Sequence, residues 1–301
     1  MRLVKASFEI IEQKPGLLGV YKQIELAGRT CYKSEDKITE NSAETFVDRM
    51  IKSGHGAMLE HGTVYLTIPD REPDEFGRMD YGHIGVGDYS INKYSEVIYR
   101  HYSQEPNETQ KEYCSKIPRT TTYVTTNLRV LVENGWMEDL QYISEPTEWH
   151  EKRVTVRFIT DQGILREFTR HRVFSFAVES TRYCNYGSGK FNNEVTYILP
   201  PWLPTEDVQV AAVKWDEVEF IKALTDAEKS YFKLLELGWK PQQARNVLPL
   251  GTKCEIIMTG FVSDWEHFFD LRAIGTTGTP HPQASELAIP LLEEFKKLNY
   301  V

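Results

Sequence analysis

The stretch from Arg153 to Tyr183 constrains the fold of this chain more than any other. Val154, Val156 and Phe158 alternate with Arg153, Thr155 and Arg157, the period of a strand with one apolar face. Asp161 then stands where an N-cap residue belongs. Ile164, Leu165 and Phe168 give an inward face to a helix over about 162–172. Arg166 and Arg170 share one side of that helix at i, i+4, at the end where the macrodipole favours cations. The chain then runs Arg170-His171-Arg172-Val173-Phe174-Ser175-Phe176-Ala177-Val178-Glu179-Ser180-Thr181-Arg182-Tyr183. A solvated face would not interleave these polar groups with Val173, Phe174, Phe176 and Val178, so the run is partly buried. An unpaired buried charge is very costly, and Glu179 is the acid that the run itself supplies. The missing negative charge is read as a ligand. Arginine's planar fork suits phosphate or an ionised pyrimidine.

The surrounding pattern is α+β. Residues 38–54 read as a helix, with Asn41 and Glu44 at capping-box spacing, Phe46, Val47, Met50 and Ile51 inward, and Gly54 as its stop. After His55-Gly56-Ala57-Met58-Leu59-Glu60-His61, a strand carries Val64, Leu66 and Ile68 in alternation. Residues 69–150 follow, rich in Gly, Pro, Asp and Tyr, with one clear helix near 126–134 ending at Gly135. That is too long for a bare loop and reads as a partly ordered insertion whose tyrosines pack. The last third is helical: 215–237 ending at Gly238, a short helix from Pro241 through Arg245 and Asn246, then a buried strand from Gly251 to Phe261. Ser263 and Glu266 cap a helix carrying His267, Phe268, Leu271 and Arg272, and a final helix covers about 283–297.

Hydrophobic residues make up 41% of the 301 and charged ones 26%, the balance of a soluble globular protein. No apolar run approaches the ~20 residues of a membrane span, and Met1–Phe8 reads as a strand without a secretory core. The protein is expected to be cytoplasmic and to bind no membrane. A net charge of −9 argues against nucleic acid. Locally the sign reverses, with five arginines against Asp161, Glu167 and Glu179 between Arg157 and Arg182, which favours a small anion. Cys31, Cys114, Cys184 and Cys254 are scattered and form no Cys-x-x-Cys, so no zinc or redox motif is expected. Cys184, two residues after Arg182, reads as a packing thiol or as a nucleophile activated by a cation. His55 and His61 are six apart across a helix-to-strand junction, the wrong spacing for a helical metal pair, and no metal is expected.

Arg170-His171-Arg172 with Ser180 and Arg182 at their spacing resembles the signature of the flavin-dependent thymidylate synthases. Three further segments lie in the family's order. His55 to His61 resembles its His-x-Ser/Thr-x-Leu-Glu-His segment near flavin and folate, Ala244-Arg245-Asn246-Val247-Leu248-Pro249 its Ala-Arg-x-Val-Leu-Pro, and His267 to Ala273 the segment ending Leu-Arg-Ala. Ala57, Ala177 and Val178 depart from the usual hydroxyl, Asn and Glu, Glu167 stands where Gln is common, and Ile274 to Pro282 reads as a local insertion.

The resemblance implies FAD, dUMP, methylenetetrahydrofolate and NADPH, with dTMP and tetrahydrofolate as products and no cysteine nucleophile. It implies that Arg272 is catalytic and, with Glu167, Arg170, Ser180, Arg182 and Arg245, binds dUMP. Ala57, Arg170, His171, Arg172 and His267 would meet FAD, with His55, Glu60 and His61 in the folate and flavin vicinity. It implies a single domain over 1–301 with an insertion at about 69–150, a curved central sheet flanked by helical bundles, and a homotetramer with sites between subunits. Two other readings stay open on the residues: a cysteine-dependent pyrimidine methyltransferase using Cys184, and a catalytically lapsed protein that binds nucleotide or flavin.

Overall fold

The computed structural model describes residues 1–69, 87–104, 117–187, 189–203 and 215–301. In chain order the elements are β1 (Arg2–Val4), β2 (Ser7–Ile11), α1 (Gly16–Tyr32), α2 (Ser42–Lys52), α3 (Gly56–Leu59), β3 (Thr63–Pro69), β4 (Glu96–Gln104), β5 (Ile117–Asn127) and α4 (Leu128–Asn134). Then come β6 (Arg153–Asp161), α5 (Gln162–Phe168), β7 (Ser175–Val178), β8 (Thr196–Ile198), α6 (Trp215–Glu236), α7 (Pro241–Ala244), β9 (Lys253–Phe261), α8 (Val262–Phe269) and α9 (Pro282–Lys297). The mixture of sheets and helices is the α+β class expected. The chain divides into two compact units, one of 1–12, 26–38 and 154–301, the other of 13–25 and 39–153. The 69–150 stretch thus shares its unit with the residues on either side of α2.

In the first unit a four-stranded sheet has the order β2-β6-β9-β7. Side chains alternate between its faces. Phe8, Ile10, Val154, Val156, Phe158, Phe176, Val178, Ile256 and Met258 turn to one side and pack with Ile164 and Phe168 of α5, Trp265, Phe268 and Phe269 of α8, and Leu287, Leu291 and Phe295 of α9. The alternate positions carry polar groups. Among them Thr155 and Thr259 share a hydrogen bond of 2.9 Å. Trp265 Nε1 donates to the Val154 carbonyl at 3.1 Å, so the largest core side chain leaves no polar atom stranded. A parallel pair, β1 with β8, lies with a separate cluster of Tyr186, Tyr197, Leu224 and Tyr231.

The second unit holds an antiparallel sheet, β3-β5-β4. Val64, Leu66, Ile68 and Val124 pack with Phe46, Val47, Met50, Leu128 and Leu131, and with Val20 and Ile24 of α1. The stretch read as one helix in an insertion therefore contains two further strands. Their alternation is masked by runs such as Thr120-Thr121-Thr122, in which polar side chains face both ways. The packing role of its tyrosines holds at Tyr89, which is buried, stacks edge-on with Trp136 at 4.8 Å and donates to Asp139 at 2.7 Å. Tyr81, Tyr113 and Cys114 lie outside the described residues.

Several element ends differ from the sequence reading. Asn41 is at the N-cap of α2 but makes no side-chain cap bond. Ser42 Oγ instead accepts from Thr39 N at 2.8 Å and donates to Glu25 at 2.8 Å. α5 stops at Phe168, so Arg170 lies beyond the helix and shares no helical face with Arg166. Asp161 caps α5 as expected, accepting from Gly163 N and Ile164 N at 2.8 Å each. α8 begins two residues earlier than the Ser263 reading allows, and it is Asp264 that accepts from Phe261 N at 3.0 Å. Gly54, Gly135 and Gly238 all adopt positive φ, the conformation that ends a helix at least cost in glycine.

Candidate active site

The first unit brings the end of α5 against the end of α8. After Phe269 the α8 helix widens into a π-helical turn, Asp270–Ile274, a distortion that recurs at functional sites. Arg272 sits on that turn. Its Nε donates to His171 Nε2 at 3.1 Å, its Nη1 to the Glu167 carboxylate at 2.6 Å and its Nη2 to the Glu167 carbonyl at 3.0 Å. Three donors of one guanidinium are thus fixed by a single segment, Glu167–His171, about a hundred residues away. His171 is only 6% exposed. Burial, then the charges of Arg272 and His267, lower its pKa to about 4, so it is neutral and its Nε2 accepts. The His267 ring lies 6.0 Å away. Glu167, Arg170, Leu271 and Arg272, with Thr277 to His281, line a cleft of about 500 Å³.

Arg170 and Arg172 are exposed, and neither forms an ion pair among the described residues. The arginines of this run, expected to be partly buried, are exposed; the partly buried arginine is Arg272, from another segment. Two free guanidiniums flanking a buried neutral imidazole fit a diphosphate-bearing cofactor.

A second group forms where β7 ends. Ser180 N donates to the Cys31 carbonyl at 2.8 Å. Arg245 Nη1 donates to Thr181 Oγ1 at 2.5 Å, which brings Arg245 to the Ser180–Arg182 turn. Arg182 is exposed, its guanidinium 5.4 Å from the Tyr183 ring. Ala177 is fully buried within β7 and pairs with Ile257. Val178 turns into the apolar core. Here the two departures from the family pattern are packing residues.

Glu179 is not a counter-ion for the neighbouring arginines. It is 3% exposed and binds Lys253 Nζ at 3.0 Å. Lys253 also pairs with Glu255, which in turn holds Lys33 and Arg157. Burial raises the Glu255 pKa, but the charges of Lys253 and Lys33 outweigh it and bring it down to about 2. This network went unread in the sequence, although Lys253 and Glu255 inside a buried strand are themselves a signal, since such residues are rarely buried unless paired.

Cys184 is buried, which bears out the packing thiol over the nucleophile. Burial and then Glu179 push its thiol up to about 12, against the opposing charges of Lys33 and Lys253. The thiol is protonated at neutral pH and is no nucleophile. Cys31 is likewise raised, to about 11, chiefly by burial.

The His55–His61 residues belong to the second unit. His55 and Ala57 are exposed, while His61 is fully buried. Glu60 is held by Arg129, and its carbonyl accepts from Arg153 at 3.1 Å. Among the described residues no group of His, Cys, Asp and Glu is arranged to hold a metal, and no helix is long and apolar enough to cross a membrane.

The sequence profile of the family described as thymidylate synthase complementing protein matches residues 151–299. That span contains Glu167, the Arg170-His171-Arg172 run, Ser180, Arg182, Arg245, His267 and Arg272. This chain belongs to that family. It is 34% identical over 126 residues to a flavin-dependent thymidylate synthase of Haloarcula marismortui, covering 37% of this chain and 51% of the relative. It is 30% identical over 134 residues to a probable flavin-dependent thymidylate synthase of Paramecium bursaria Chlorella virus 1, covering 42% and 60%. One from Corynebacterium efficiens is 29% identical over 195 residues, covering 60% and 68%. The chain thus spans about half the length of the first of these relatives. A UMP/dUMP methylase structure from Streptomyces cacaoi aligns with 99% of this chain and 93% of its own at 15% identity and a TM-score of 0.44; a likeness so remote bears on neither substrate nor mechanism. The His55–His61 segment lies outside the profile match, whereas both groups of the candidate site lie inside it.

Proposed function

We propose that this member of the thymidylate synthase complementing protein family is a flavin-dependent thymidylate synthase, making dTMP from dUMP with methylenetetrahydrofolate as carbon donor and NADPH as reductant. The observation that carries the reading is the convergence of Glu167, His171 and Arg272 from two family-matched segments onto one guanidinium. FAD, when bound, supplies the carrier that takes reducing equivalents from NADPH. Arg170 and Arg172 would hold its diphosphate, with His171 and His267 beside it.

This chain's own part is electrostatic. Arg272 keeps two of a guanidinium's five donors after its three internal bonds. Held rigid, they meet negative charge as it develops on the uracil, with no reorganisation at the moment of reaction. Neutral His171 holds the guanidinium plane without adding a competing cation. Ser180, Arg182 and Arg245 bind the nucleotide, the two arginines at its phosphate. The Ser180 and Arg272 groups come from different subunits of a homotetramer and meet at each site.

The test is an absorbance spectrum of the purified protein followed by an assay for dTMP with all four small molecules. Flavin absorption and FAD-dependent dTMP formation are expected. A colourless protein whose melting temperature ignores saturating FAD would sink the reading, since a ligand selective for the native state must stabilise it.

A further inference from the structure

The segment after Arg272, Ile274-Gly275-Thr276-Thr277-Gly278-Thr279-Pro280-His281, is read in the sequence as a local insertion. In the fold it becomes one wall of the cleft beside Arg272, through Thr277, Gly278, Thr279, Pro280 and His281. Its shape is set closely. Gly275 has φ +79°, and a Cβ there would lie 2.8 Å from Pro280 Cδ. Gly275 N and Thr276 N both bond the Asp270 carbonyl, at 2.8 and 3.0 Å. The far end is anchored by Gln283, whose Nε2 donates to Asp161 at 2.6 Å.

His281 Nδ1 accepts from Gln283 N at 3.3 Å. The neutral ring then carries its proton on Nε2, where it is a donor. Arg170, Arg272, His281, Thr277 and Thr279 among the lining residues can all donate to an anion. The acid facing them, Glu167, is already bound to Arg272. Two guanidiniums against one carboxylate leave a net positive cleft open to solvent.

We propose that the Thr277–His281 wall completes a subsite for an oxyanion group, phosphate or carboxylate, held between His281 and Arg170. This rests on the proposed function only for which molecule brings the group: a phosphate of NADPH, since the dUMP phosphate is placed at Arg182 and Arg245, or a glutamyl carboxylate of the folate. The subsite itself is a property of the cleft.

The experiment has two arms. In the first, thermal unfolding of the full chain is followed against inorganic phosphate, which needs no activity. Phosphate should raise the melting temperature of wild type, and His281→Ala and Thr277→Val/Thr279→Val should each weaken that protection about tenfold in half-effective concentration, the scale of one hydrogen bond to a charged group. Arg182→Ala serves as control for the other phosphate-binding group. If Arg182→Ala abolishes the protection while His281→Ala leaves it intact, the subsite is overturned. In the second arm, KM is compared in wild type and His281→Ala. A rise confined to NADPH assigns a phosphate, and one confined to methylenetetrahydrofolate assigns a carboxylate. A fall in kcat with every KM unchanged would overturn a binding role. An inactive protein that still shows His281-dependent phosphate protection would end the synthase reading and leave the subsite standing.

Discussion

Arg272 donates from Nε to His171 Nε2 at 3.1 Å, and that bond exists only while the imidazole is neutral. Protonating His171 would turn its acceptor into a donor facing a guanidinium. The folded-state pKa, about 4, lies below the 6.5 of the free side chain. The unfolded chain therefore binds the proton first as pH falls. The stability from this site is complete above pH 6.5 and is lost progressively down to pH 4, about 3 kcal/mol in all. Denaturant unfolding of wild type and His171→Asn between pH 4 and 7.5 checks this: the variant should have the shallower pH dependence. Equal slopes would mean that the imidazole titrates normally.

On the proposed function, Arg272 is also the residue on which the chemistry turns. Removing one preorganised donor costs about 10²–10³ in rate. Arg272→Ala should therefore nearly abolish dTMP formation while flavin absorbance persists, and Arg272→Lys, which loses the fork, should recover little. Cys184→Ala should stay active, because a thiol pushed up to about 12 is not ionised. A folded but dead Cys184→Ala protein would reverse this assignment.

How much of this was legible in the sequence depends on the range of the interaction. The β6 alternation, the Asp161 cap and the glycine helix stops are local, and each stands where the residues place it. The end of α5 was not legible, because Thr169 and Arg170 continue the helical pattern while the turn at His171 is fixed by Arg272 from a hundred residues away. The candidate site was read as a set of family positions, but its pairing was not: Glu179 was read as partner to the arginines of its own run and is instead bound to Lys253 across the sheet. Ala177 and Val178 stand out in the sequence only as departures from the family pattern; in the fold Ala177 is buried in β7 and Val178 packs against the core. The wall at Thr277–His281 carries no periodicity and no charge run, so only its place beside Arg272 gives it meaning.

The Glu255 network should mark the acid limit of stability. Its folded pKa of about 2 lies below the free value of 4.5. Its contribution is present above pH 4.5 and disappears as pH falls through 2, with a size on the order of 3 kcal/mol. Glu255→Gln leaves Lys33, Lys253 and Arg157 short of a counter-charge and should cost a similar amount, about 3 kcal/mol, at neutral pH. Chemical unfolding at pH 7 measures it; a loss under about 1 kcal/mol would mean that the network is no better than a surface ion pair.

Gly260 on β9 tests the packing beneath the Arg170-His171-Arg172 run. A Cβ there would lie 2.6 Å from two carbons of the Phe174 ring. That ring is buried and stacks edge-on with Trp265 at 4.6 Å, so it has little room to yield. Gly260→Ala should destabilise by about 1–3 kcal/mol, the usual cost of overpacking. Gly260→Ala combined with Phe174→Leu should recover part of the loss, and simple additivity of the two would count against this contact as the cause.

The last prediction concerns assembly. Among the described residues, Arg272 bonds Glu167 and His171, whereas Arg245 bonds Thr181 and Arg182 lies against the Tyr183 ring. On the proposed function these are two half-sites, each supplying cations, for a phosphate and an ionising uracil. If each complete site takes the Arg182 group from one subunit and the Arg272 group from another, Arg182→Ala and Arg272→Ala proteins should each be nearly inactive alone. After equimolar mixing, dissociation and reassembly, a site is intact when each half comes from the subunit that retains it. Random exchange in a symmetric oligomer makes that about a quarter of sites. Activity should climb towards a quarter of wild type as mixed oligomers form, followed by native mass spectrometry. Mixed oligomers without recovery would place both arginines of each site in a single chain.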